Sequence, residues 1–101
     1  MKIINESVQL IHIDSKTHLT STIIYTALVR ASAGRTYAKF YTDKHYIQVN
    51  FMRDNTIAVS SNIRNPAFIN SLWQRDRQGW TLSSAKDFVY LWMQQSRRTL
   101  S

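Results

Sequence analysis

Three tyrosines and one lysine stand close together in this chain: Tyr37, Lys39, Tyr41 and Tyr46. Their odd and even spacings put all four on one side of a folded-back pair of strands. A phenol ring offers a flat apolar surface with a polar tip, and an ammonium group attracts phosphate. Together they could stack the bases of a single nucleic-acid strand or anchor a protein partner. The N-terminal third could instead pack over this face, leaving the tyrosines as ordinary half-buried contacts. Arg53, Arg64, Arg75 and Arg77 extend the candidate binding set. Arg75 and Arg77 are two apart, so on a helix they share no face and cannot grip one phosphate together. Near a helix C-terminus they also suit the dipole.

Other chemistry has less support. His12, Asp14 and His18 have metal-ligating side chains, but a metal site needs three or four converging ligands and the spacing matches no such arrangement. A half-buried His12 with Asp14 and His18 in a loop is expected, and no metal or cofactor. His45, Lys39, Arg53 and Tyr46 could serve a small basic ribonuclease, which can work without carboxylate pairs. The only glutamate is Glu6, so paired-carboxylate hydrolysis would need distant aspartates. Two isolated glycines, Gly34 and Gly79, give no phosphate-cradling loop.

Composition narrows the class. The 101 residues carry 13 Lys+Arg against 6 Asp+Glu, a net charge of +7, which favours polyanionic partners. Zero cysteines exclude disulfides and thiolate metal sites and fit a reducing cytoplasm. No apolar run approaches the ~18 residues that span a bilayer. Met1 to Glu6 turns polar too soon for a signal peptide.

These side chains need elements to hold them. Thr36–Thr42 and His45–Met52 alternate around Asp43-Lys44, and Thr56–Ser61 follows the turn Arg53-Asp54-Asn55, where Asn tolerates the left-handed conformation. Facing Phe40 with Ile47, Ala38 with Val49 and Phe51 with Ile57 gives one apolar face and a three-stranded antiparallel meander, about 36–61. Asn65-Pro66 caps and opens a helix, about 66–78, that Gly79 ends. Ser84 and Asp87 have capping-box spacing for a second helix, about 84–98, with Arg97 and Arg98 in its last turn. Both helices are expected to cover one sheet face. Trp73 and Trp92 fall on apolar stripes and are expected in the core, while Trp80 is expected at an exposed or hinge position. Ser7–Ile13 reads as a strand. Residues 19–33 have helical spacing with Gly34 as C-cap, but many are β-branched, so helix and strand both stay open.

The expectation is an α+β fold in one domain, 1–101. Its function would be non-enzymatic binding of nucleic acid, or of a protein complex that handles it. A protein-binding inhibitor or adaptor from a mobile element, of the phage anti-defence or anti-CRISPR kind, is the alternative, followed by the ribonuclease toxin. Neither membrane attachment nor any oligomeric state is indicated.

Overall fold

Thr20 opens the first helix: its hydroxyl accepts from Ile23 N, and the chain runs helically over Ser21–Gly34. This helix, α1, resolves the ambiguity over residues 19–33. Ile24, Ala27, Leu28 and Ala31 form its buried stripe, and burying them outweighs the modest helix penalty of the β-branched residues between them. The computed structural model describes residues 7–100, with side chains through 96. Within that range the order is β1 (Gln9–His12), α1, β2 (Tyr37–Tyr41), β3 (Tyr46–Phe51), β4 (Ile57–Ser61), α2 (Pro66–Gln78) and α3 (Leu82–Leu100).

The fold is α+β, with a mixed four-stranded sheet in the order β1-β2-β3-β4. The meander has the register that alternation predicts, with Phe40 opposite Ile47, Ala38 opposite Val49 and Phe51 opposite Ile57. Asn55 takes φ 69° in the β3–β4 turn. The first strand pairs parallel to β2, with α1 as the crossover. All five inward residues of β2 and β3 (Ala38, Phe40, Ile47, Val49 and Phe51) join the stripes of α1 and α3 in one core around the fully buried Trp92, Phe88 and Leu28.

Several local expectations need correction. Gly34 is not the C-cap of α1. Arg35 is, in the left-handed region at φ 53° and ψ 49°, and its N–H reaches the carbonyls of Ala31 and Ser32. Gly34 is small for another reason: a Cβ there would collide with the side chain of Ser7. The last helix starts earlier than Ser84. Thr81 and Ser84 cap each other reciprocally, Ser84 N donating to Thr81 Oγ1 at 3.0 Å and Thr81 N to Ser84 Oγ at 2.9 Å. The side chains of Arg97 and Arg98 lie outside the described residues.

The second helix behaves as its ends predict and its middle does not. Asn65 accepts from Ala67 N and Phe68 N, and Gly79 ends the helix at φ 86°. Phe68 is its one buried residue, against Phe88 at 4.9 Å between ring centres. Hence α2 packs on the β4 side of the sheet rather than across it. Its stripe runs off the core, leaving Trp73 61% exposed. Trp80 is half-buried instead of exposed, edge-on to Phe88 at 5.4 Å, with Nε1 donating to Asp76 Oδ1.

Candidate nucleic-acid interface

Period-two alternation sends Tyr37, Lys39, Tyr41, Tyr46, Gln48 and Asn50 to the side of the sheet opposite the core. The helices gather against the other side, in one core with the inward residues of β2 and β3. The N-terminal third therefore adds a strand and a core helix, and no described element covers the tyrosine face. Each of those six residues is half-buried, as expected for side chains lying flat among neighbours on an open sheet.

Register orders this face into rows. One row is Leu10, Lys39, Gln48 and Ser60, and the next is His12, Tyr41 and Tyr46. Strands lie ~4.8 Å apart, so adjacent side chains in a row can touch. Lys39 Nζ sits 5.0 Å from the centre of the Tyr46 ring and 5.8 Å from that of Tyr41. His12 is exposed rather than half-buried, because edge strand β1 turns it to the uncovered face; its ring stacks at a tilt on Tyr41, centroids 5.2 Å apart, and its Nε2 lies 3.4 Å from Asp43 Oδ1. Gln48 Nε2 donates to Asn50 Oδ1 at 2.9 Å, which fixes the polar floor beside the rings.

A shallow hollow of about 210 Å³ opens at the β2–β3 turn, lined by Lys39, Tyr41, Asp43, Lys44, His45 and Tyr46 among others. Thr42 Oγ1 accepts from Lys44 N and His45 N and tightens this turn. Asn62 braces it from beyond β4, donating to Lys44 O at 2.9 Å while its Oδ1 accepts from Tyr46 N at 2.8 Å. His45 Nδ1 is buried and has no hydrogen-bond partner among the described residues.

The arginines do not join this centre. Arg53 is exposed in the β3–β4 turn, where its carbonyl accepts from Arg35 Nη1. From His45 to Arg53 the chain runs the length of β3, about 25 Å at ~3.3 Å per residue. Three members of the ribonuclease set thus line one hollow, and Arg53 stands at the far end of the sheet. Arg64 is exposed after β4. Arg75 lays its guanidinium over Phe88, 5.5 Å from the ring centre, while Arg77 is exposed.

Among the described residues no three metal-ligating side chains converge, His12, Asp14 and His18 included. Asp14 instead closes a turn. The N–H of Lys16 and then the hydroxyl of Thr17 hold its carboxyl below the ordinary carboxylate value. Asp54 is lowered in the same way by the hydroxyl and N–H of Thr56.

Sequence reasoning missed His12 and Leu10 as members of this face, and Asn62 as its brace. The parallel β1–β2 register brings in the first two, and no local pattern carries that register. No family model, curated protein or solved structure matches the chain. No helix among the described residues is long and apolar enough to cross a membrane.

Proposed function

We propose that this protein is a non-enzymatic binder of single-stranded nucleic acid, alone or held within a protein complex. The observation that carries this reading is Lys39, its Nζ within 6 Å of the ring centres of both Tyr41 and Tyr46, on a sheet face that no described helix covers. Bases would stack on Tyr41, Tyr46 and Tyr37, and Lys39 would meet the phosphates between them. The net charge of +7 adds long-range attraction. Single strands suit this face better than duplex, since stacking needs unpaired bases. Such a protein would act in the cytoplasm.

Titrating a labelled single-stranded RNA or DNA and the matching duplex at several salt concentrations tests the reading. Single-strand affinity that falls with salt and is lost in Tyr41→Ala/Tyr46→Ala supports it. Affinity absent at low salt, or unchanged in that variant, refutes it. The hollow shared by His45, Lys39 and Tyr46 favours ribonuclease chemistry as the second reading. RNA cleaved by the native chain and left intact by His45→Ala would replace the first reading with the second.

A further inference from the structure

The fourth strand is an edge that carries no charge and no proline. Edge strands are commonly blunted by lysine, proline, a bulge or short length. At the other edge β1, four residues against five in β4, ends at His12 and runs into Asp14 and Lys16. By contrast, no charged residue and no proline lies between Asp54 and Arg64, and among the described residues Ile57–Ser61 pairs only with β3. Met52 N donates to Thr56 O, so positions 52 and 56 form a hydrogen-bonded pair. Alternation along the register then turns the peptide groups of Ala58 and Ser60 toward β3 and those of Ile57, Val59 and Ser61 outward.

We propose that a second copy of this chain pairs antiparallel along β4, centred on Val59, to make a two-fold dimer with one continuous sheet. Three observations select this occupant. First, centring on Val59 puts outward residues opposite outward residues, Val59 on Val59 and Ile57 on Ser61 of the other copy, so each unpaired peptide group meets one. Second, Asp54 in the turn before β4 and Arg64 just past its end lie five residues to either side of Val59, so the same two-fold brings opposite charges to the two ends of the pair in a chain of net charge +7. Third, a groove of about 420 Å³ lies beside Ser61, walled by Ile63, Ile69, Leu72 and the exposed Trp73. The Ile57 side chain of the other copy, on the helix side of the sheet and opposite Ser61, is placed to enter it. The two-fold axis stands perpendicular to the sheet, so both tyrosine faces look the same way. The pairing does not depend on what those faces bind.

Sedimentation velocity on the full chain over ~1–300 µM tests the dimer. The native protein should show a concentration-dependent dimer. Ala58→Lys/Ser60→Lys, which sets lysines opposite each other across the new pair, should raise the dissociation constant about tenfold or more. Ser83→Lys/Gln94→Lys adds the same charge on exposed positions of α3 and should leave it unchanged. Arg64→Asp should weaken the dimer several-fold, and Asp54→Arg/Arg64→Asp should restore it. Arg64 is exposed, so this second series stands even where the lysine pair disturbs folding. A native chain that stays monomeric overturns the proposal. So does a dimer indifferent to the lysine pair in a folded protein, equal weakening by the control, or a charge swap that fails to restore association.

Discussion

Replacing Lys39 with alanine should change how binding responds to salt, and replacing the tyrosines should not. Each phosphate neutralised on a single strand contributes ~0.7 to the slope of log K against log salt. Lys39 Nζ lies within 6 Å of the centres of both the Tyr41 and Tyr46 rings, so Lys39→Ala should lower the slope by about 0.7. At ~0.1 M salt that amounts to roughly fivefold in affinity, ~1 kcal/mol. Tyr46→Ala and Tyr41→Ala each remove a stacking surface, worth ~1–3 kcal/mol per base, with little effect on the slope. Tyr46→Phe keeps the ring and should stay close to native. Fluorescence anisotropy with a labelled oligonucleotide of ~12 nucleotides, over ~50–300 mM salt, reads both quantities. The reasoning fails if Lys39→Ala leaves the slope intact, or if Tyr46→Ala binds as tightly as Tyr46→Phe.

Other outcomes follow from the fold. Gly34→Ala should lower the melting temperature, although alanine is favoured by ~1 kcal/mol inside helices, because its Cβ meets Ser7; Ser7→Gly in the same chain should return the gain. Asn65→Ala removes the acceptor for two N–H groups of α2 and should cost ~1 kcal/mol in denaturant unfolding. Asp14 and Asp54 bind protons less readily folded than unfolded, so their contribution is complete above the ordinary value of 3.8 and is lost as pH falls through their lower folded values. Asp14→Asn/Asp54→Asn should therefore flatten the acid limb of a stability-against-pH curve, and an unchanged limb would show that these turns do not set it.

The meander was legible because period two makes register all-or-none: once Phe40 faces Ile47, every partner of β2 and β3 is fixed. Asn65, Pro66, Gly79 and Asn55 were legible because each suits a single backbone role. Trp73 was misread because helical spacing shows which residues share a stripe, not how far the partner surface extends beneath it. Gly34 was misread because a glycine near a helix end has two explanations, positive φ and close approach, and only the tertiary contact with Ser7 chooses between them. The tyrosine face was visible as a set. Its openness was not, since that depends on which side of the sheet α1 chooses.

The parallel pairing of β1 also bears on the order in which the chain folds. The hairpins β2–β3 and β3–β4 close through short turns, whereas β1 must wait for all of α1 to be laid down before it meets β2. The first strand should therefore dock after the hairpins and open before them. Amide exchange at Ile11 should outpace exchange at Val49 in the sheet centre. Because His12 rides on that strand, each such opening removes one ring from the row beside Tyr41 while the meander stays intact.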